Sequence, residues 1–292
     1  MHHFTEIAGM DAGVLREILS DAQLDQKRAV LNPGPIALVF HEPSTRTRFS
    51  FASAALQVGH HPVDLNVGES SERKGETTLD TCRNLAWGGA RAVILRTSKT
   101  GLPREVAGQL DIPVINAGDG TNEHPTQALG DALTLLDHFG HLDGLRVTIV
   151  GDIAASRVAR SNAHLLSLFG ADLRLMGSRI PDDLPGEKYT KGHNFVRALE
   201  GADVVMILRW QDERHTWWPY DKEQVSALKS RYQITEALLA EHTPNAVVMH
   251  PGPVNRGVEV TDEVVDGPRS LVAKQVQNGV RARAAVLRYV NT

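Results

Sequence analysis

Residues 36–50 read IALVFHEPSTRTRFS, and this stretch decides the fold class. Residues 36–40 form a short apolar run rich in branched side chains, which is typical of a buried β-strand. The polar turn that follows leads into a helix, which we expect to begin near Ser44 and to run to Gly59. A strand that passes through a short turn into a helix is the repeating unit of α/β proteins, so the stretch predicts that class.

Short apolar runs alternate with helix-length segments along nearly the whole chain. We interpret these runs as buried parallel strands and predict two sheets of four strands each. The first sheet is predicted from residues 36–40, 62–65, 92–95 and 113–115, and the second from residues 146–150, 173–176, 204–208 and 246–249. Apolar residues at helical spacing predict helices over residues 77–87, 124–140, 156–169 and 270–290.

Composition and charge exclude several classes of protein. The 292 residues carry 31 Lys and Arg against 35 Asp and Glu, a net charge of −4, so binding to nucleic acid or an anionic membrane through bulk charge is not expected. The single cysteine, Cys82, excludes an intrachain disulfide and is expected to be a small buried residue. A reducing compartment, the cytoplasm, is therefore predicted. No apolar run reaches the ~18 residues of a membrane helix, and no secretion signal is recognisable.

Polar residues follow the predicted strands in both halves of the chain. Ligands of open parallel sheets bind beyond the carboxyl ends of the strands, so these residues are expected to converge. Because the group is rich in cations, it predicts anionic ligands although the whole chain is acidic. Its members are Arg46, Arg48, Arg96, His124, Arg157, Arg209 and Arg214.

The segment Ser44-Thr45-Arg46-Thr47-Arg48 opens a helix directly after a strand. Free backbone N–H groups and the positive end of the helix dipole favour a phosphate there. The alternative is a Ser44 N-cap followed by a solvated basic turn. Cations are unfavourable in the first turn of a helix, so two arginines at this point indicate that an anion binds.

Other polar groups are open to two interpretations from sequence. His124 and Gln127 begin the helix predicted over residues 124–140, which would link the two halves of the chain, and could polarise a carbonyl group. Arg96 alone could be a solvated strand end. Lys74 could be a mobile phosphate ligand or part of a solvated turn. Residues 144–159, GLRVTIVGDIAASRVA, lack the glycines of a dinucleotide site. Asp152 there could cap a helix, and Arg157 could hold a carboxylate.

Six ordered motifs resemble the aspartate carbamoyltransferase family, specifically its bacterial catalytic chains. They are FHEPSTRTR, SSERKGETTLDT, INAGDGTNEHPTQ, VGDIAASRVARS, LRWQDER and VMHPGPVNRG, between Phe40 and Arg256. Ornithine carbamoyltransferases share STRTR and HPTQ but typically have HCLP where this chain has His250-Pro251-Gly252-Pro253. Ala52 and Thr78 depart from the family pattern and put local packing in doubt rather than activity.

The resemblance implies an α/β fold of two domains, each a parallel β-sheet flanked by helices, with the active site in the cleft between them. Residues 1–134 would form a carbamoyl-phosphate-binding domain and residues 135–270 an aspartate-binding domain. The C-terminal helix, about 271–292, would pack back on the first domain.

The resemblance also implies a role for each site residue. Carbamoyl phosphate would be bound by Ser44, Thr45, Arg46, Thr47, Ser70, Lys74, Arg96, His124, Gln127 and the backbone of Pro251 and Gly252. Aspartate would be bound by Lys74, Arg157, Arg209 and Gln211. The catalytic set would be Arg46, Thr47, Lys74, Arg96 and His124, and domain closure would use Glu42 and Arg214.

The implied reaction transfers a carbamoyl group to aspartate without a metal or other cofactor. Ser70 and Lys74 would reach a neighbouring subunit's site in a homotrimer, and regulatory or dihydroorotase chains are further partners that the sequence leaves open. An ornithine carbamoyltransferase, a nicotinamide dehydrogenase and a non-catalytic scaffold are the alternatives. The arginine pair Arg157 and Arg209 counts against an ornithine enzyme, and the missing glycines count against a dehydrogenase. The complete set of anion-binding residues counts against a non-catalytic scaffold.

Overall fold

The computed structural model describes residues 1–24, 28–65, 75–190, 194–211 and 222–292, which form two compact units. Unit 1 comprises Met1–Leu133 and Gln277–Thr292, and unit 2 comprises Thr134–Val276. None of the helices in these ranges is long and apolar enough to cross a membrane.

Unit 1 is built around one parallel sheet with the strand order β2-β1-β3-β4. The central strands β1 and β3 are buried along most of their length, as expected where helices cover both faces of a parallel sheet. Its elements are α1 (Ala12–Leu24), β1 (Pro35–Phe40), α2 (Thr45–Gln57), β2 (His61–Leu65), α3 (Thr78–Trp87), β3 (Ala92–Thr97), α4 (Leu102–Ala107) and β4 (Val114–Asp119). Cys82 is buried against this core, as predicted.

Unit 2 contains a second parallel sheet with the order β7-β6-β5-β8-β9. Helix α5 (Pro125–Phe139) precedes it, and α11 (Val272–Val290) follows it. Between them come β5 (Arg146–Val150), α6 (Arg157–Leu168), β6 (Asp172–Met176), β7 (Glu187–Tyr189), α7 (Asn194–Leu199), β8 (Val204–Ile207), α8 (Lys222–Arg231), α9 (Glu236–His242), β9 (Val247–Met249) and α10 (Asp262–Val265).

The predicted α/β class, with two parallel sheets flanked by helices, is confirmed. The prediction of four strands in the second sheet was wrong, because β7 adds a fifth strand at its edge. The sequence Glu-Lys-Tyr has no apolar run, and the strand exists through backbone pairing of Glu187–Tyr189 with β6. The domain boundaries and the cleft between the domains stay predictions.

Helices α5 and α11 contact each other through backbone atoms within unit 1. A Cβ placed on Gly130 of α5 would lie 3.1 Å from the Cα of Gly279 on α11. A Cβ on Gly279 would in turn lie 2.6 Å from Nη1 of the buried Arg283. The absence of a side chain at Gly130 therefore permits the close approach of the two helices, and the absence of one at Gly279 leaves room for Arg283.

We predict that Gly130→Val lowers the free energy of unfolding by about 1–3 kcal/mol, because added methyl groups overpack this contact. Gly108→Ala is the matched control, since its new Cβ would meet the nearest atom at 3.7 Å, an ordinary contact distance. Urea unfolding of both variants measures the difference. Equal stability of the Gly130 variant and the wild type would contradict a tight crossing.

Candidate active site

Helix α2 begins as predicted, but the side chain of Ser44, the residue before it, does not cap it. Ser44 occupies the N-cap position with extended backbone angles, φ −161° and ψ 92°, and its side chain makes no capping hydrogen bond. The first intrahelical bond runs from the Arg48 N–H to the Ser44 carbonyl. The backbone N–H groups before Arg48 consequently have no intrahelical acceptor and are available to an anion.

The two arginines of this first turn have different environments. Arg48 donates to Asp64 Oδ2 at 2.7 Å, and its guanidinium lies 5.0 Å from the centre of the Phe40 ring. The interpretation that both arginines need an external anion was therefore wrong for Arg48. Arg46 forms no ion pair with a side chain in the described ranges. Burial of its guanidinium lowers the pKa of Arg46, although the residue as a whole is exposed.

The side chain of Arg96 is fixed by protein partners at the end of β3 and does not extend into solvent. Its Nη1 donates to the Ala117 carbonyl at 3.1 Å, and its Nε lies 3.6 Å from Glu42 Oε2. In the sheet register Arg96 lies opposite Phe40, the last residue of β1. The side chain is thus brought to the same sheet edge as the start of α2, and the alternative of a solvated strand end is not supported.

Two buried carboxylates fix the loop that leads to His124. Asp119 accepts hydrogen bonds from the Gly101 N–H at 2.7 Å and the Glu123 N–H at 3.1 Å. Glu123 accepts from the N–H groups of Ile7 and Ala8 at 2.8 and 3.0 Å. Sequence reasoning missed both acids because the partners of Glu123 and one partner of Asp119, Gly101, are distant along the chain, although both acids lie within the GDGTNEH stretch.

His124 lies directly before α5 and is 5% exposed. Three residues later, Gln127 donates through Nε2 to Asp131 Oδ1 at 2.9 Å. This bond orients the amide and leaves Gln127 Oε1 to accept a hydrogen bond, for example from an amine. The start of α5 therefore presents one imidazole and one oriented amide beside the sheet edge of unit 1.

The predicted residues of unit 2 surround the start of α6. Arg157 is the first residue of that helix and is 4% exposed. Gln211 links the segment after β8 to the loop before α6, because its Nε2 donates to the Ala155 carbonyl at 2.9 Å and its N–H donates to Asp152 Oδ2 at 3.0 Å. Arg209, two residues before Gln211, is half-buried.

The interpretation of Asp152 as a helix cap was wrong. The N-cap of α6 is Ser156, whose Oγ accepts from the Ala159 N–H at 3.1 Å. Asp152 instead binds the backbone of Gln211, and Gly151 beside it has φ +127° with the Leu208 carbonyl 2.7 Å from where a Cβ would lie. A side chain at position 151 would separate these two strand ends.

Each unit thus assembles a polar site at the carboxyl ends of its strands. In unit 1 the residues at or after the carboxyl ends of β1, β3 and β4 are Glu42, Ser44, Thr45, Arg46, Thr47, Arg96, His124 and Gln127, and in unit 2 those after β5, β8 and β9 are Arg157, Arg209, Gln211, Pro251 and Gly252. Ser70, Lys74 and Arg214 lie outside the described residues. Within the described part of the chain, no cluster of three or more His, Cys, Asp or Glu residues suits a metal ion.

Two family models match the chain. One describes the carbamoyl-P binding domain of aspartate/ornithine carbamoyltransferase and matches residues 2–137; the other describes the Asp/Orn binding domain and matches residues 143–290. The aspartate carbamoyltransferase catalytic subunit of Thermus aquaticus is 46% identical to this chain over 278 residues, covering 94% of this chain and 90% of that protein.

Solved structures of both aspartate and ornithine carbamoyltransferases, the two branches of the matched family models, resemble this chain. Aspartate transcarbamoylase of Trypanosoma cruzi in complex with carbamoyl phosphate and aspartate has a TM-score of 0.84 at 26% identity, covering 98% of this chain and 95% of that one. Ornithine carbamoyltransferase of Pyrococcus furiosus has a TM-score of 0.84 at 29% identity, covering 97% and 96%. The backbone alone therefore does not distinguish the two branches.

We predict that Arg46→Ala weakens binding of inorganic phosphate by about 10- to 100-fold, the value of a charge-assisted hydrogen bond. Arg48→Ala, a neighbouring arginine already paired with Asp64, should leave that affinity nearly unchanged. Calorimetric titration of the two variants measures both values. Equal losses would show that the anion is attracted by net charge and not by the start of α2.

Proposed function

The chain belongs to the aspartate/ornithine carbamoyltransferase family, and we propose how its residues divide that family's reaction among them. The chain transfers the carbamoyl group of carbamoyl phosphate to the α-amine of L-aspartate, giving N-carbamoyl-L-aspartate and phosphate for pyrimidine biosynthesis. The observation on which the proposal depends most is the uncapped start of α2, which offers backbone donors and Arg46 to a phosphate.

Unit 1 binds carbamoyl phosphate in this proposal. The phosphate accepts hydrogen bonds from the α2 N-terminus, with hydroxyl donors from Ser44, Thr45 and Thr47 and the guanidinium of Arg46. Arg96 and His124 donate to the carbonyl oxygen together with Thr47, and Gln127 Oε1 accepts from the carbamoyl amine. The hydrogen bond within α5 supports this division, because Gln127 Nε2 already donates to Asp131 and Oε1 remains as the acceptor.

Unit 2 binds aspartate through cations. Arg157 and Arg209 pair with its two carboxylates, and Gln211, fixed by Asp152 and Ala155, adds an amide. Ornithine is disfavoured at this site because its side-chain ammonium would face the cationic guanidinium of the buried Arg157. The backbone at Pro251 and Gly252 helps to position both substrates, and Glu42 and Arg214 act in domain closure.

Catalysis in this proposal is electrostatic. The neutral α-amine attacks the carbonyl carbon, and the charge that develops on the carbonyl and phosphate oxygens is stabilised by Arg46, Arg96, Lys74 and His124. The C–O bond to phosphate then breaks, and the departing phosphate accepts the proton of the amine. Alignment of the two anionic substrates supplies the rest of the rate enhancement, an effect worth about 7–11 kcal/mol in well-oriented reactions.

We further propose that the active unit is a homotrimer in which Ser70 and Lys74 enter a neighbouring subunit's site. Large apolar side chains exposed on unit 1 support an interface between copies, since isolated monomers rarely expose several large apolar groups close in sequence. Phe49, Leu56, Val63 and Trp87 are among them. The cytoplasmic location, the absence of a cofactor, and regulatory or dihydroorotase partners stay predictions.

The purified chain should form carbamoyl-aspartate from carbamoyl phosphate and L-aspartate and should form no citrulline with L-ornithine. His124→Ala should reduce kcat by about 10²–10³, because a donor to the developing oxyanion is lost. Chromatographic separation of the two products measures the specificity. Citrulline as the main product would show that unit 2 was assigned to the wrong amino acid.

Mixing two inactive variants tests the shared site. Recombined trimers of Arg46→Ala and Lys74→Ala should regain up to about a quarter of wild-type activity, because in a cyclic trimer that fraction of sites has both residues intact. A mixture of Arg46→Ala with His124→Ala should regain none, since both residues belong to the same subunit's contribution. Equal recovery in the two mixtures, or none in either, would contradict a site shared through Lys74.

A further inference from the structure

A fully buried histidine–glutamate pair closes the loop that follows β9. His250 is 1% exposed and its Nε2 lies 3.2 Å from Oε1 of Glu259, which is also 1% exposed. The same Glu259 oxygen accepts the Asn255 N–H at 2.6 Å. The pair therefore joins the start of the loop to its end and holds its middle.

The hydrogen bonds determine the tautomer of His250. Its Nδ1 lies 2.8 Å from the backbone nitrogen of Gly252, which can only donate, so Nδ1 accepts and carries no proton. The ring proton is consequently on Nε2 and is donated to Glu259. A doubly protonated ring would lose the bond to Gly252, so the neutral imidazole is the form that fits this loop.

The pair positions the backbone of Pro251 and Gly252, which contacts the substrates in the proposed function. Gly252 has φ +64°, a left-handed conformation that favours glycine, and its N–H is the one bound by His250. The His250 N–H donates to Gln275 Oε1 at 2.8 Å, which fixes the backbone on the other side of Pro251. Pro251 and Gly252 are thus held from both sides by side-chain acceptors.

We propose that Glu259 and His250 are positioning residues for the carbamoyl transfer. Glu259 orients the imidazole, and the imidazole holds the Pro251-Gly252 backbone where it contacts the carbamoyl group and the incoming amine. This inference rests on the proposed function. Neither side chain contacts substrate, so both act through the backbone.

The energetics of burial support a role beyond packing. Glu259 Oε2 is buried with no hydrogen-bond partner in the described ranges, which is costly for a carboxylate oxygen. Apolar side chains of similar volume would pack at lower cost than such a polar pair. What the polar pair supplies, and an apolar pair cannot, is a directed acceptor for the Gly252 N–H.

Substitutions that retain or remove individual acceptors test the pair. Glu259→Gln keeps an oxygen for both donors and should retain kcat/KM for carbamoyl phosphate within about 3-fold, whereas Glu259→Ala should lower it by about 10²-fold, as expected when reacting groups are misaligned. His250→Asn can place an amide oxygen near the position of Nδ1 and should be more active than His250→Gln, which cannot. Thr148→Val, which removes a different buried hydrogen bond of unit 2, is the matched control and should keep wild-type kcat/KM.

Inhibition by inorganic phosphate separates positioning from general damage. Phosphate is assigned to the α2 N-terminus in unit 1, so its inhibition constant should be unchanged in Glu259→Ala while KM for carbamoyl phosphate rises or kcat falls. An unchanged kcat/KM, or a parallel loss of phosphate binding, would overturn the proposal. If Glu259→Ala does not fold, equal activity of His250→Asn and His250→Gln would overturn it instead. A wild-type chain inactive with aspartate would reject the proposed function itself, before any variant is compared.

Discussion

Parallel pairing of the strands is the constraint on which the rest of the structure depends. Every strand pair in the two described sheets is parallel, so within each sheet all carboxyl ends lie along one edge. Because helices cover the faces, that edge is where polar side chains can collect without disturbing a core. The turn after β1, the side chain of Arg96 and the loop before His124 lie at one such edge in unit 1.

Buried carboxylates hold the loops at these edges. Asp119, Glu123, Asp152 and Glu259 are each about 1% exposed, and each accepts at least one backbone N–H from a loop or chain terminus near the site. Acidic side chains therefore bind the protein's own backbone, whereas the arginine Arg46 is left without an ion pair among the described residues. This division explains how a chain of net negative charge offers cationic sites to anionic substrates.

Local patterns predicted the main elements, and long-range pairing accounts for the errors. Apolar runs located eight strands, whereas β7 has no such run and depends on the edge of β6. The helix start at Ser44 was predictable from its neighbours, but the partner of Arg48 is Asp64, 16 residues away, and no spacing rule indicates it. Gly101 and Ile7, whose N–H groups donate to Asp119 and Glu123, were missed for the same reason. The role proposed for Lys74 lies in a second subunit, so no pattern within one chain could assign it.

The order of the chain also determines when each unit can be completed during synthesis. Unit 2 is one continuous segment, Thr134–Val276, whereas unit 1 needs Gln277–Thr292, which comes after unit 2 in the sequence. That last segment supplies Arg283, whose Nη1 donates to Ser50 of α2 at 2.9 Å and whose guanidinium lies 5.1 Å from the centre of the Phe51 ring. Burial lowers the pKa of Arg283 to about 10, which still leaves it charged in the cell. On the ribosome, α2 is made early but acquires its buried cation only after the whole of unit 2 has been synthesised.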